Sequence, residues 1–595
     1  MREKIINYIE KESILLSGFL MLFFYLMVNL IPKFIHKFAK YQNDLPHVEI
    51  LLIILGIGLI IYSFIPEKVS PIFFKLRYWL IQASDKLTPK TTLYLIFLLT
   101  ALGFYLRLHN LGVQSFWIDE AITSYAAMGL MNHGEPILPS GVIYNRALLN
   151  TYLIALSFKI FGTSEFSARI VSVIFGTLTI PLVYLLAEEL ENKRVGIIAA
   201  LLITFSSFQI LWSREARMYA QFQFFYLLTA YLFYLGLKRN NGKLLFSSVI
   251  SFIFALYSHV LSFCFIPVAV ASILLDRRKF LKNKTFLYVS SGFLGLLSVY
   301  IFMFNKNPIR YLTLTVPKWS QHTFLHYVFA PTLFTLLVLV VISSVISILL
   351  WKLVLPETKN QLYFIINFFI PFAILSIYPQ KTLRYAFFIF PFLVILALRA
   401  IDFYAISDWD NMDTTIYNQI STRFKIKREY VENIKSIVTV IFILLILIHV
   451  SSDIYYMSKE THEKFTLSHE NWEKAGTFVK ERLDDTDKVA ATVSLTTLYY
   501  VGRIDYLVCQ NECPEYTNND GVTVDFYAGC TILHNYDLFM QTVTSGEGWL
   551  IADQGRLDGY WTDQKVRDYI RNNMTYYPEG SDETIEVYSW GDVSL

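Results

Sequence analysis

Long apolar runs broken by short polar loops fill most of the chain, and the pattern stops near residue 451. Runs such as Ile14–Ile31, Ile50–Ile65, Ile170–Ala187 and Ser247–Leu275 approach or exceed the roughly 20 residues that span the hydrocarbon core. On apolar length, about thirteen membrane helices are expected, near 13–32, 49–66, 92–108, 169–187, 196–212, 219–237, 244–258, 260–276, 285–304, 329–351, 361–378, 384–402 and 434–451. The stretch 244–276 is too long for one span and holds Ser258, His259 and Pro267, so it is read as two short helices with a turn at His259. The first run lacks a small-residue cleavage site and meets Pro32, Lys33 and His36 directly, so it is read as a retained helix.

Between the third and fourth spans lies an unusually long loop, 107–168, in which Asp119–Leu130 and Ala147–Phe161 both read as helices. The second is short and interrupted by Lys159, which fits a helix lying in the membrane interface. Beyond residue 451 the periods change. Asn471–Leu483 and Asp563–Asn572 read as helices, while Lys488–Val493, Gly548–Ala552 and Thr584–Trp590 read as strands. The expected organisation is two additional N-terminal helices in 1–91, a membrane domain in 92–451, and an α/β domain in 452–595.

Composition agrees with a membrane setting: 54% of the 595 residues are hydrophobic and only 17% charged, against about 25% in soluble domains. The net charge of +3 conceals an asymmetry. From Ser451 onward there are 25 acidic and 11 basic residues, a balance of −14, which leaves +17 for the remainder. With the N-terminus inside, the cytoplasmic segments hold 25 Lys and Arg and the outer ones 14, tail excluded, as the positive-inside rule requires. An odd number of spans then puts the acidic tail outside the cell membrane. The scattered positive charge gives no nucleic-acid-binding face. Of four cysteines, Cys264 lies in an apolar run, and Cys509, Cys513 and Cys530 lie in the tail. One disulfide there is expected on an oxidising side, and no histidines stand at zinc-ligand spacing.

Candidate chemistry gathers at the outer ends of the spans. Trp117-Ile118-Asp119-Glu120 places two carboxylates just above the bilayer, available to a general base or to hold an acceptor. The same pair would equally suit a helix start, with Asp119 as cap and Glu120 in the first turn. Arg214 and Arg217, in Ser213-Arg-Glu-Ala-Arg-Met-Tyr219, lie three apart, a spacing that shares a face in a helix and suits a phosphate. Arg146, Lys381 and Arg384 are further outer cations, and each of these basic residues would also serve as an interfacial anchor. His259 reads as hydrogen-bonded structure rather than a catalyst.

The run from Arg107 to Arg239 resembles the integral-membrane glycosyltransferases of the C superfamily (GT-C), in the branch of protein O-mannosyltransferases and aminoarabinose transferases. The resemblance rests on Trp117-Ile-Asp-Glu120, Phe161-Gly-Thr-Ser-Glu-Phe-Ser-Ala-Arg169, Tyr184-Leu-Leu-Ala and Arg214-Glu-Ala-Arg-Met-Tyr219, with Arg384-Tyr385 and Pro391 beyond, and covers roughly 92–402. It implies a GT-C-like polytopic helical fold, with Asp119 matching the catalytic aspartate and Glu120 beside it. Arg146 would match a basic residue for the carrier phosphate, although a Lys-Pro-Pro-Leu-like run in the family is Arg146-Ala-Leu-Leu149 here.

On that reading the donor is a sugar on a polyprenyl or dolichyl phosphate, and the acceptor is a protein, glycan or lipid outside the cytoplasm. Asp119 would take the acceptor proton with inversion, while Arg146, Arg214, Arg217, Lys381 and Arg384 would steady the departing phosphate. No cofactor is required for this chemistry, and nothing in the spacing demands a divalent cation. The competing class is a flippase or transporter of lipid-linked glycans, which would carry polar residues through the midplane. The tail is expected to help select the acceptor without performing chemistry, so that a chain cut after Ser451 would keep donor chemistry.

Overall fold

The computed structural model of the protein describes residues 86–275, 358–377, 383–402, 470–518 and 521–591, with the single positions 75, 82 and 593. The spans expected near 13–32, 49–66, 285–304, 329–351 and 434–451 lie outside the described residues, as does Lys381.

The membrane part opens with α1 (Pro89–Leu108), whose first turn is set by Pro89 and by the Thr88 hydroxyl oxygen accepting from the Thr91 amide at 3.2 Å. The long loop then supplies α2 (Ile118–His133) and α3 (Leu148–Phe161), close to the expected bounds. Next comes α4 (Glu165–Leu190), started by a reciprocal cap between Ser164 and Ser167. The run expected at 196–212 is broken at Ser206, which ends α5 (Lys193–Phe205) and caps α6 (Ser207–Trp212) with its own side chain. Then follow α7 (Tyr219–Lys238), α8 (Gly242–Ser258), α9 (Phe265–Leu275), α10 (Thr358–Ile377) and α11 (Phe390–Ile401). Three of these, α1, α4 and α7, are each long and apolar enough to cross a membrane.

The turn expected at His259 is present. His259 is extended, and its Nδ1 accepts from the Leu261 amide at 3.1 Å before a 3-10 segment, Val260–Cys264. Residues 384–402 likewise divide, into a 3-10 segment, Leu383–Ile389, followed by α11. The apolar faces of α1, α4, α5, α7, α8, α9, α10 and α11 meet in one core that includes Ile180, Leu186, Tyr226, Phe252, Phe265 and Leu393.

The tail forms the expected α/β unit. Its elements are α12 (Trp472–Lys480), β1 (Lys488–Ala491), α13 (Ser494–Val501), β2 (Tyr506–Val508), β3 (Glu515–Thr517), β4 (Thr523–Asp525), β5 (Thr531–Leu533), α14 (Tyr536–Thr544), β6 (Gly548–Asp553), α15 (Gln564–Asn573), β7 (Thr575–Tyr576) and β8 (Ile585–Trp590). Six strands form one sheet in the order β5-β2-β1-β6-β8-β7, parallel from β5 to β6 and antiparallel beyond. Successive residues of β6 face opposite sides of the sheet. Trp549 and Ile551 pack with Trp472 and Val587, while Leu550 and Ala552 pack with Phe539 and Ile570. Both faces are covered, which is why β6 reads as an unbroken apolar run. A disulfide joins Cys509 to Cys513, and Cys530 and Cys264 are free and buried.

Tail and membrane part meet directly. Leu495, Leu498, Tyr499 and Tyr500 of α13 join a core with Phe116, Ala121 and Ile122 at the start of α2. At a second contact, Ser140 donates from its amide to the Tyr527 carbonyl at 3.2 Å and from its hydroxyl to the Phe526 carbonyl at 2.7 Å.

One tight joint can be tested. Gly176 of α4 faces Ser213, and a Cβ there would collide with the Ser213 Cβ and Oγ. Gly176→Ala is expected to destabilise the protein by about 1–3 kcal/mol through overpacking, read as a lower thermal midpoint in detergent. An unchanged midpoint would mean that the two segments are not held as closely as described.

Candidate active site

Helix α2 starts from Trp117, without a side-chain cap, and Asp119 and Glu120 both fall in its first turn. Asp119 therefore does not cap the helix. Carboxylates are favoured in a first turn because the leading N–H groups have no partners within the helix. Neighbouring residues on a helix point about 100° apart, so the two carboxylates leave in different directions. Their surroundings differ accordingly.

Glu120 turns inward and is fully buried against Arg169 of α4. Arg169 Nε donates to Glu120 Oε1 at 2.9 Å and Nη2 to Oε2 at 2.6 Å, a two-point contact. The Ala216 amide also donates to Oε1, at 2.6 Å. The rest of the Arg169 fork reaches the carbonyls of Leu111 at 3.1 Å, Gln114 at 2.7 Å and Ser115 at 3.1 Å. A guanidinium carries five N–H donors, and each of these has an acceptor here. This arrangement draws the loop after α1, the start of α2, α4 and the link before α7 to one point.

Asp119 turns the other way, and its side chain remains 25% exposed. Its Oδ2 lies 3.1 Å from Arg384 Nη1 and 3.6 Å from Arg217 Nη2. Arg217 Nη1 also donates to the Asp119 carbonyl and to Thr123 Oγ1, both at 2.8 Å. Arg384 sits over the rings of Trp117, Tyr219 and Tyr385, at 5.6, 5.9 and 5.9 Å from their centroids. Trp117 is oriented in turn by its indole N–H, which donates to Glu215 Oε2 at 2.8 Å. His259 closes the same side, 5.8 Å from both Tyr219 and Tyr385 and stacked on Phe222 at 5.2 Å. The result is a partly exposed carboxylate between two guanidinium groups, walled by aromatic rings.

The remaining expected residues divide. Residues 213–218 form a bent link rather than a helix, so Arg214 and Arg217 do not share a helical face. Arg214 instead donates to the carbonyls of Leu106 at 3.4 Å, Arg107 at 2.9 Å, His109 at 2.6 Å and Asn110 at 3.2 Å. It satisfies the carbonyls left open where α1 ends. Arg146 sits on the exposed turn before α3, within electrostatic reach of Tyr527 in the tail, as Asp119 is too. Among the described residues, no three or more His, Cys, Asp or Glu side chains gather as a metal site would require. Sequence reasoning gave no role to Arg169, Trp117 or Tyr219. Arg169 carried a signal, because an arginine opening an apolar run needs a buried partner.

Residues 145–302 match the family model described as dolichyl-phosphate-mannose-protein mannosyltransferase. A protein of Aquifex aeolicus, described as uncharacterized, is 27% identical over 163 residues, a match spanning 27% of this chain and 32% of that protein's length. ArnT from Cupriavidus metallidurans bound to undecaprenyl phosphate is similar in structure, with a TM-score of 0.52 at 11% identity over 84% of this chain and 99% of that one. The apo oligosaccharyltransferase of Archaeoglobus fulgidus gives a TM-score of 0.52 at 11% identity, over 85% of this chain and 75% of that one. The resemblance read from the sequence holds: the chain has the fold of the integral-membrane glycosyltransferases of the C superfamily. Asp119 and Glu120 precede the segment matched by the family model.

Glu120→Ala would leave the Arg169 guanidinium buried without its counter-charge. The expected cost is about 3–5 kcal/mol, seen as a lowered thermal midpoint and reduced abundance in the membrane. A midpoint equal to that of the unaltered protein would show that the pair does not support the fold.

Proposed function

We propose that the chain is a glycosyltransferase that moves a sugar from a polyprenyl- or dolichyl-phosphate donor to an extracytoplasmic acceptor hydroxyl, with Asp119 as general base. The observation that carries this reading is the Asp119 carboxylate, partly exposed and held by Arg217 and Arg384. The fold supports it, as does the undecaprenyl phosphate bound to ArnT. Glu120, enclosed by Arg169, acts as a framework residue rather than a second base, which revises the expected pair of working carboxylates.

In this reading the donor phosphate enters beside Arg217 and Arg384 and competes with Asp119 for their N–H groups. The arginines turn part of their hydrogen bonding to the phosphate, which frees the carboxylate to accept from the acceptor hydroxyl. That oxygen attacks the anomeric carbon, its proton passes to Asp119, and the bond from the anomeric carbon to the phosphate oxygen breaks. The electron pair leaves with the lipid phosphate, where the two guanidinium groups stabilise the growing charge. Attack opposite the leaving group inverts the anomeric centre. The lipid phosphate departs as a stable anion, so the proposed step needs neither nucleotide nor redox cofactor. Trp117, Tyr219 and Tyr385 offer flat faces against which a sugar ring can be oriented.

The reading is tested in a deletion strain whose glycans and lipids are compared with the parent's by mass spectrometry. One sugar should disappear from one class of acceptor, and the unaltered gene should restore it. Asp119→Asn should insert normally but restore it at least about a hundredfold more slowly, the lower range for losing a general base. Restoration at the normal rate would remove Asp119 from the mechanism.

A further inference from the structure

The tail touches the site at its most sensitive place. Residues 115–117 lead into α2, and the carboxylate proposed to act lies two residues further on. Since α2 has no side-chain cap, its start must be fixed from outside. Arg169 holds the Ser115 carbonyl from the membrane side, as described above. From the other side the tail holds the same residues by three hydrogen bonds. The Ser115 hydroxyl donates to the Glu470 carbonyl at 2.8 Å and accepts from the Trp472 amide at 3.1 Å. The Phe116 amide donates to the Tyr500 hydroxyl at 2.6 Å.

Tyr500 does more than accept. Its hydroxyl donates to Glu165 Oε1 at 2.6 Å, and Glu165 is the first residue of α4, four residues before Arg169. One phenol oxygen on α13 therefore ties the start of α2 to the start of α4. The ring is set edge-on against Tyr499 at 4.9 Å, and Tyr499 meets Phe116 at 5.1 Å. Burial and the nearby Glu165 carboxylate raise the Tyr500 pKa, so the phenol keeps the proton it donates. Ser115 and Phe116 are themselves buried, and without these partners their polar groups would lose their hydrogen bonds.

We propose that the tail is a working part of the transfer site, and that Tyr500 is a positioning residue that fixes the start of α2 and thereby the Asp119 carboxylate against Arg217 and Arg384. This rests on the function proposed above and changes the part given to the tail. A chain lacking the tail would leave Ser115 and Phe116 with water, and the entry to α2 would fray. Misplacement of a reacting group by about 1 Å can slow a reaction by up to about a hundredfold. The effect should therefore appear in turnover rather than in binding.

The test uses the full-length chain in the deletion strain, with the restored sugar as the measure of turnover. Tyr500→Phe keeps the ring and removes one oxygen. It should restore the sugar about tenfold or more slowly. In the purified protein, the thermal midpoint should stay within a few degrees and undecaprenyl phosphate binding within about twofold of the unaltered protein. Ser115→Ala, which breaks the other tail contact, should behave in the same way, so the result does not depend on one variant folding. Lys565→Ala, on the exposed side of α15, should restore the sugar normally. Normal restoration by both Tyr500→Phe and Ser115→Ala would overturn the inference, as would a loss of turnover matched by an equal loss of folded protein. If Asp119→Asn also restores the sugar at the normal rate, it is the proposed mechanism that fails; a slow Asp119→Asn beside a fully active Tyr500→Phe rejects only the role of the tail.

Discussion

The buried contact between Arg169 and Glu120 is the constraint on which the site depends. Two opposite charges removed from water are costly unless every donor and acceptor is matched. Here the fork of Arg169 meets both Glu120 oxygens and three backbone carbonyls, while the Ala216 amide adds a further donor to the carboxylate. Such a contact tolerates little displacement of any member, and its members come from four separate segments. It fixes where α2 begins, how α2 stands against α4, and where the link carrying Arg217 passes. The helical turn then assigns Asp119, one residue earlier, to the other side.

Adjacent carboxylates thus acquire different surroundings from geometry alone. The inward one is enclosed by a guanidinium and, on the proposed reading, serves the framework. The outward one keeps contact with solvent and with two cations whose partners can change. The aromatic rings beneath Arg384 hold its guanidinium in place through their faces without competing for its hydrogen-bonding edge. Arg214, three residues from Arg217, closes the end of α1 and so keeps the neighbouring link in its bent path. Fold and chemistry are coupled through this small region, and the tail is bound to it from the other face through Ser115, Phe116 and Tyr500.

Features set by local pattern were legible in the chain. Apolar length marked the helices around α4 and α7, and a membrane-depth histidine with a following proline marked the turn at His259. The strand β6 and the helix α15 were visible from apolar runs and caps. Asp119 was visible as one of two adjacent carboxylates just above the bilayer, and Arg217 and Arg384 because cations there oppose the usual charge bias. Features set by contacts between distant residues were not legible. The spacing of Arg214 and Arg217 suited a helix, but 213–218 forms a bend whose groups are bonded to the Arg107 and Asp119 carbonyls and to the Glu120 carboxylate. That Glu120 is enclosed was not legible, because its partner, Arg169, lies 49 residues away. The short strands β2 to β5 and the helix α13 gave little periodic signal, being too brief or buried on more than one side. Tyr500 carried no signal, because nothing local ties a tyrosine in the tail to residue 116.

The division of labour between Asp119 and Glu120 is tested most directly by a cryo-EM map of the full-length protein with undecaprenyl phosphate bound. The account predicts the phosphate within hydrogen-bond distance of Arg217 and Arg384, Asp119 released from at least one of them, and the contact between Glu120 and Arg169 unchanged. A phosphate seated on Arg214 or Arg169, or Glu120 swung out to face the lipid head group, would contradict it.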